Sequence, residues 1–276
     1  MRLSDRRLRA LVFVIFMLIY HVARYRRKTV TQNLLHAFPQ KTGKELRVIR
    51  KKFFRHLVSV FHEVINYSKY DAEELLKRVH YTNPELLRDI SSKGKNMIIV
   101  AGHCGNWELL GLTLPLVSGT RTFGAARRQS DPYFNIVINA LRTRMGLEII
   151  ESSRLYRTLL RAGNHRFAAF LISDQSPPKH ELDFWIHFLN QETPVFLGPE
   201  HIARSLNLPV IFAGMKCTSP GRYEVTFHMV CAIPSETEPF AITRNHVKLL
   251  EEYIVAQPEC WLWSHRRWKH KKPQKA

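Results

Sequence analysis

Short apolar runs alternate with segments of helical periodicity from residue 96 onward, and this alternation constrains the fold more than any other feature of the chain. The run 96–101, NMIIVA, is continuously apolar from Met97 onward, as expected of a strand buried on both faces. Further strand-like stretches occur at 121–126, 147–150, 167–172 and 209–213, and residues 222–230 alternate between polar and apolar as a late strand would. Helical patterns occur at 106–117, 131–145, 153–163, 199–207 and 236–256. Alternating β and α units predict an α/β fold with a mostly parallel central sheet flanked by helices.

The first 93 residues have a different pattern, which is helical throughout. Thr42 and Glu45 have the spacing of a capping box, and apolar residues then recur at helical intervals over 46–65. We therefore predict a helical N-terminal extension over 1–93 and one α/β domain over 94–276.

The positive charge of the chain is concentrated at its two ends. The net charge is +19, of which residues 1–55 carry +13 and residues 260–276 carry +6, so the region between them is neutral. A protein that binds nucleic acid along its surface needs basic residues distributed over that surface. We therefore predict no nucleic-acid partner, and expect the basic ends to contact an anionic membrane or an acidic partner.

The longest apolar run, 10–23, lies between Arg9 and Arg24. Fourteen helical residues reach ~21 Å, which is short of the ~30 Å hydrocarbon core of a bilayer. Arginines on both sides give the run no preferred orientation across a membrane. We predict a short helix that lies in, or dips into, an anionic leaflet. The alternative is a helix buried against the body of the protein.

The cysteines and histidines of the chain show no spacing typical of a metal site. Cys104, Cys217, Cys231 and Cys260 form no CxxC pair, which also argues against a disulfide framework and fits a reducing compartment. The chain has no pair of histidines at HxxxH spacing around His103. The sequence therefore predicts no metal.

The segment Val100–Glu108, VAGHCGNWE, is the strongest candidate for a chemical site. A buried strand ends there, two glycines open a turn, and Asn106 is a natural N-cap for the next helix. Ligands of open α/β sheets collect at this carboxyl edge. His103 and Glu108 can converge there, and a carboxylate that fixes the imidazole tautomer makes histidine a better general base. Cys104 as a nucleophile is an alternative, since cysteines near helix starts can have low pKa values.

Several segments resemble, in order, the lysophospholipid acyltransferase superfamily and, within it, the lipid A late acyltransferases. HCGNWE is similar to the HxxNWE form of the family's His–x4–acid motif. The last segment, PECWLWSHRRWK at 258–269, is similar to the family's PEQYxWxHRRFK. The other matching segments are Asn33-Leu34 with Ala37-Phe38-Pro39, Arg127 with Pro132, Arg142, Asp174-Gln175, and Thr193-Pro194 with Gly198-Pro199.

The resemblance implies transfer of a fatty acyl chain from an acyl thioester to a hydroxyl of a lipid A precursor. The implied donor is acyl carrier protein, or else acyl-CoA, with no further cofactor and no metal. His103 would be the general base and Glu108 its orienting partner. The resemblance also places the protein at the cytoplasmic face of the inner membrane.

The remaining site residues are candidates for binding substrate. Planar guanidinium groups bind phosphates and carboxylates bidentately, which makes Arg127 and Arg142 candidates. Asp174 follows a buried strand and is expected either at the substrate or as a partner of Arg142. A tetrahedral oxyanion needs preorganised donors. Arg142 and the backbone N–H groups of Gly105 and Asn106 are the candidates for that role.

Three departures from the family pattern leave the acceptor open. Ser176 stands where a second acid is common, Arg128 where many members have proline, and Cys260 where they have glutamine. A lysophospholipid or an amino-acid lipid is therefore an alternative acceptor. A non-catalytic protein that binds anionic surfaces is a more remote alternative, which the basic ends alone would support.

Overall fold

The computed structural model describes residues 14, 16–18, 20, 24–127, 131–162 and 165–273. A central sheet of seven strands runs in the order β1-β9-β8-β2-β5-β3-β4, and a separate hairpin is formed by β6 and β7. The strands are β1 Val79–Tyr81, β2 Met97–Ala101, β3 Arg121–Ala126, β4 Leu147–Glu151, β5 Phe167–Ile172, β6 Trp185–Phe188, β7 Gln191–Pro194, β8 Val210–Ser219 and β9 Arg222–Cys231.

Helices cover both faces of the sheet, and short 3-10 turns occur at Ser152–Arg154, Lys179–Glu181, Pro234–Glu236 and Pro258–Cys260. The helices are α1 Arg27–Ala37, α2 Gly43–Tyr67, α3 Ala72–Leu76, α4 Glu85–Ser92, α5 Trp107–Ser118, α6 Pro132–Thr143, α7 Leu155–Ala162, α8 Gly198–Leu206 and α9 Ala241–Ala256.

Five neighbouring strands, β8, β2, β5, β3 and β4, run parallel, whereas β9 is antiparallel to β8 and pairs in parallel with β1. All five residues of β2 are buried, as the continuous apolar run predicted. The apolar side chains of the strands point into two core clusters, one on each face of the sheet. The predicted α/β fold with a mostly parallel sheet is therefore confirmed.

Three elements differ from the sequence prediction. The first 93 residues are not helical throughout, because β1 joins the sheet there; its three residues are too few to show a period of two. The β6–β7 hairpin, which joins Trp185 to Pro194 in register, was not predicted. The last helix begins at Ala241, because residues 234–236 form a 3-10 turn that starts with a proline.

The predicted helix over 10–23 lies mostly outside the described residues. Of its described side chains, Phe16 and Tyr20 are buried, and the Tyr20 ring packs edge-on against Phe54 of α2. Val14 and Leu18 are each 53% exposed. Within the described ranges, no helix has both the length and the apolar character needed to cross a membrane. The described part of this segment thus has one side packed on the body and another facing outward.

Asn33 connects α1 to the C-terminal motif across 230 residues of sequence. Its side-chain amide donates to the carbonyl of Trp263 at 2.9 Å and to that of His265 at 3.0 Å. Asn33 is 8% exposed, and Trp263 is fully buried. The NL segment and the WLWSH segment, which resemble one family, are therefore joined directly.

We predict that Asn33→Ala lowers the free energy of unfolding by about 1–3 kcal/mol, because the buried carbonyl of Trp263 and the part-buried carbonyl of His265 lose their donor. The adjacent Gln32 is exposed and offers a matched amide control. Gln32→Ala should change the free energy by less than about 0.5 kcal/mol. Urea denaturation of the detergent-solubilised protein measures both values. Equal small effects of the two substitutions would contradict a stabilising role for Asn33.

Candidate active site

The central residues of the site meet because β2 and β5 are neighbouring parallel strands. Ala101 at the end of β2 is in register with Ile172 at the end of β5. His103 lies two residues beyond the end of β2, and Asp174 lies two residues beyond the end of β5, at the same edge of the sheet. Gly102 permits the approach, since a Cβ atom there would lie 2.4 Å from Leu250 Cδ1 and 3.3 Å from Asp174 Oδ2.

Asp174 accepts three hydrogen bonds through its two carboxylate oxygens. Oδ1 lies 2.5 Å from His103 Nδ1, while Oδ2 accepts from the backbone N–H of His103 at 2.8 Å and from Trp261 Nε1 at 2.7 Å. Burial alone would raise the pKa of the Asp174 carboxyl, but the charge and hydrogen bonds of His103, with the bond from Trp261, lower this pKa to about 2. The buried side chain is therefore ionised, and hydrogen bonds from His103 and Trp261 occupy both of its oxygens.

The bond to Asp174 determines which nitrogen of His103 is available for chemistry. A carboxylate only accepts hydrogen bonds, so Nδ1 carries the proton and Nε2 carries the lone pair. The Gln175 side-chain nitrogen lies 3.3 Å from Nε2, where its N–H can donate to that lone pair. The His103 ring packs edge-on against Trp107, with the ring centroids 5.1 Å apart, and 15% of its side chain is exposed.

Glu108 occupies a different place from the one predicted. Its carboxylate accepts from Arg142 Nε at 2.8 Å and from Arg142 Nη2 at 2.5 Å, which is a bidentate pair. The ring of His103 bonds to Asp174 and Gln175. The predicted contact between Glu108 and His103 is therefore wrong for this structure, and the alternative in which Asp174 pairs with Arg142 is not found among the described residues. Glu108 lies in the first turn of α5, whereas Arg142 lies in the last turn of α6, so the ion pair joins the ends of two helices.

The backbone donors predicted for an oxyanion are already used within the protein. The N–H of Gly105 donates to the carbonyl of Cys260 at 2.9 Å, and that of Asn106 donates to Met215 Sδ at 3.1 Å. Gly105 has a φ of +60°, which favours glycine. The Asn106 side chain caps α5 by accepting from the N–H of Leu109 at 3.0 Å, as predicted. These residues shape the turn, and the prediction that their N–H groups face a substrate is corrected.

Arg127 lies just beyond β3, at the same carboxyl edge of the sheet as His103 and Asp174. It is exposed, and its guanidinium lies over the ring of Phe196, 4.8 Å from the ring centroid. A charged group on this rim fits the predicted substrate-binding role, which stays a prediction.

The C-terminal motif supplies residues that the sequence did not assign to the site. Trp261 bonds to Asp174, and His265 Nε2 accepts the backbone N–H of Ser176 at 3.1 Å. Arg267 is only 2% exposed, and its Nε and Nη1 have no hydrogen-bond partner among the described residues. Burial lowers the pKa of Arg267 to about 10, with the charge of Asp174 acting in the opposite direction. The sequence signal that could have identified these contacts was the length of the match between PECWLWSHRRWK and the family motif.

Cys104 has the properties of a core residue. It is 7% exposed, and burial together with the nearby Asp174 charge raises the pKa of its thiol well above the usual value. A nucleophilic cysteine needs a lowered pKa and access to substrate. The geometry therefore favours His103 over Cys104 as the reactive group of this turn.

The low pKa of Asp174 predicts how its contribution to stability varies with pH. A carboxyl with a pKa lowered by folding stabilises the native state above its unfolded pKa, here about 3.8, and loses this effect as the pH falls through its folded pKa, here about 2. The difference in unfolding free energy between wild type and Asp174→Asn should be constant at neutral pH and shrink as the pH falls below about 4.

Urea denaturation over a pH series measures this difference, down to the pH at which the protein unfolds without urea. Asp183→Asn, at an exposed aspartate, is the matched control. A difference for Asp174→Asn that stays constant, or grows, as the pH falls below about 4 would contradict the prediction.

Comparison with known proteins gives the family of the chain. No curated protein matches it by sequence. The sequence model of the family described as bacterial lipid A biosynthesis acyltransferase matches residues 5–270, a span that includes His103, Glu108, Asp174 and the whole C-terminal motif. With nearly the full length matched and these segments meeting around one buried carboxylate, the chain belongs to the bacterial lipid A biosynthesis acyltransferase family.

Proposed function

We propose that the protein transfers a fatty acyl chain from an acyl thioester to a hydroxyl of a lipid A precursor, with His103 as the general base. Acyl carrier protein is the proposed carrier of the thioester, and acyl-CoA is the alternative donor. The geometry of His103 is the observation that carries this proposal. Its Nδ1 is fixed on the buried Asp174 carboxylate, which leaves the Nε2 lone pair for the proton of an acceptor hydroxyl.

The reaction follows from this tautomer. Nε2 of His103 removes the hydroxyl proton while the hydroxyl oxygen bonds to the thioester carbonyl carbon. The resulting imidazolium is stabilised by Asp174, and the carbonyl oxygen becomes an oxyanion. When the tetrahedral intermediate collapses, the C–S bond breaks and the imidazolium returns the proton to the leaving sulfur. The products are the O-acyl ester and the free thiol of the carrier.

The Glu108–Arg142 pair has a binding role in this proposal. Glu108 engages Nε and Nη2 of Arg142, so the Nη1 end of the guanidinium is the part suited to a substrate group. The pair is partly exposed, with 26% of the Arg142 side chain accessible. A preorganised guanidinium binds either a lipid A phosphate or the developing oxyanion. Glu108 thus contributes by fixing Arg142, while Asp174 fixes the base.

Apolar side chains near the site suit a lipid substrate at a membrane surface. The helix that carries Arg142 also exposes Tyr133, Ile136 and Val137, at 81%, 66% and 69% respectively. Isolated exposed apolar residues are ordinary, but three on one short helix form a patch. We place this surface at the cytoplasmic face of the inner membrane.

A basic cleft at the N-terminal end fits the same placement. Anionic headgroups attract such clusters of arginine and lysine, and the acidic surface of acyl carrier protein is the other proposed partner. The cleft is lined by Arg24, Arg26, Arg27, Lys28, Thr31, Gln32 and Arg50.

We predict that Asp174→Asn lowers kcat by roughly 10³–10⁴-fold, because an amide no longer fixes the reactive tautomer of His103. KM should change little, since the Asp174 side chain is only 2% exposed. Steady-state kinetics with acyl carrier protein thioester and a lipid A precursor measure both constants. Asp183→Asn is the control with the same chemical change at an exposed position.

The same assay separates the two carboxylates. The double variant Glu108→Gln, Arg142→Gln should be no less active than Arg142→Gln alone, because the two residues act as one unit. The assignment would be wrong if Glu108→Gln abolished kcat while Asp174→Asn remained near wild type.

We also expect lipid A from cells that express the protein to be heavier by one acyl chain than lipid A from cells without it. Mass spectrometry of extracted lipid A measures the difference, and His103→Ala should abolish it. Identical spectra with and without the protein would reject lipid A as the acceptor. A gain of acyl chains in phospholipids or amino-acid lipids in the same extracts would identify the alternative acceptors.

A further inference from the structure

A second cluster of reactive side chains lies behind the turn that carries His103. It consists of His56 on α2, Cys217 on β8 and Cys260 in the 3-10 turn Pro258–Cys260. Their nitrogen and sulfur atoms all lie within 4.8 Å of one another. Cys217 Sγ is 3.0 Å from Cys260 Sγ and 3.9 Å from His56 Nδ1. Neither the base nor its carboxylate belongs to this cluster, so the catalytic proposal leaves these groups unused.

The orientation of His56 is that of a metal ligand. Its Nε2 lies 3.0 Å from the carbonyl oxygen of Gly105, and a carbonyl only accepts, so Nε2 carries the proton. The lone pair is therefore on Nδ1, the nitrogen nearer to Cys217. Metal-bound histidines commonly donate their other ring N–H to a backbone carbonyl, which fixes both the tautomer and the ring.

Hydrogen bonds that involve the backbone groups of Cys217 and Cys260 hold these two residues in place. The Gln257 side chain accepts from the N–H of Cys217 at 2.8 Å and donates to its carbonyl at 2.9 Å. The carbonyl of Cys260 accepts from the N–H of Gly105 at 2.9 Å. The three donor atoms thus come from backbones whose positions are already fixed, which lowers the ordering cost of binding an ion.

We propose that His56, Cys217 and Cys260 bind one zinc ion. Two thiolates and an imidazole are soft ligands that select Zn²⁺ over Mg²⁺ or Ca²⁺. Zn–S bonds of about 2.3 Å and Zn–N bonds of about 2.1 Å in a tetrahedron require S–S separations of about 3.8 Å and S–N separations of about 3.6 Å. The present distances of 3.0 and 3.9 Å reach these values with small side-chain movements. Binding displaces one proton from each thiol to solvent, and a small exogenous ligand completes the tetrahedron.

Zinc at this site would join three distant parts of the chain behind the catalytic turn. Cys217 is 161 residues from His56 and 43 from Cys260, so no local spacing in the sequence indicated a site. The sequence prediction of no metal considered only short motifs. Cys260 is also the position at which the sequence departs from the glutamine of the family pattern, which makes Cys260→Gln a conservative test.

The first test is the metal content of the full-length protein, produced without a polyhistidine tag and purified in detergent with a non-chelating reductant. Inductively coupled plasma mass spectrometry should find about one Zn²⁺ per chain. After chelation, reconstitution with Co²⁺ should give the visible d–d bands of a tetrahedral site and a near-ultraviolet thiolate-to-metal band. Adding zinc to the metal-depleted protein should also raise its midpoint of thermal unfolding.

Variants identify the ligands. Cys260→Gln, Cys217→Ser and His56→Asn should each weaken zinc binding by at least about 100-fold, measured by competition with a chromophoric chelator. Cys231→Ser is the matched control, because Cys231 is a buried free cysteine outside the cluster. Circular dichroism establishes that each variant is folded before its zinc content is compared.

Two results obtained with the wild-type protein alone would each overturn the proposal. The first is that the purified protein contains no zinc and shows no thiolate-to-cobalt band after Co²⁺ is added. The second is a Cys217–Cys260 disulfide, seen as a mass lower by two hydrogens, in protein isolated under reducing conditions. Full zinc binding by folded Cys217→Ser or Cys260→Gln would also reject the site, since the ion would then lie elsewhere.

Discussion

The carboxylate of Asp174 is the group on which the arrangement of the site depends. It is almost fully buried, so its charge would be costly without partners. The backbone and ring of His103 and the indole of Trp261 supply these partners, and they keep the group ionised. Its oxygens therefore hold the end of β2 and the C-terminal motif against the end of β5. Removing any one donor would leave a buried charge with an unmet hydrogen bond.

A chain of hydrogen bonds extends this arrangement to the other segments. His265 receives the N–H of Ser176, two residues beyond Asp174, and the carbonyl of the same histidine receives the amide of Asn33. Segments that resemble one family, but lie far apart in sequence, are thus neighbours in space. The C-terminal motif lies at the centre of these contacts, which explains why Trp261 and Trp263 are buried although basic residues follow them.

The sequence predicted what is encoded locally. Buried strands and amphipathic helices have distinct periods, so the α/β alternation and its parallel sheet were predictable, and the caps at Thr42 and Asn106 follow from the chemistry of helix starts. The order of strands in the sheet is not encoded locally. Without knowing that β5 lies beside β2, spacing favoured Glu108, the nearest acid along the chain, as the partner of His103. The His56–Cys217–Cys260 cluster was hidden for the same reason.

The contact between Asp174 and Trp261 has a consequence for the timing of folding. These residues are separated by 87 positions, and Asn33 is separated from Trp263 by 230. Contacts of such long range form late, because loop closure costs entropy before any packing is gained. A ribosome-bound chain that has not yet released residue 261 cannot complete the shell around the carboxylate. The ring of His103 is therefore fully positioned only after the chain has been synthesised beyond Trp261, long after His103 itself has been added.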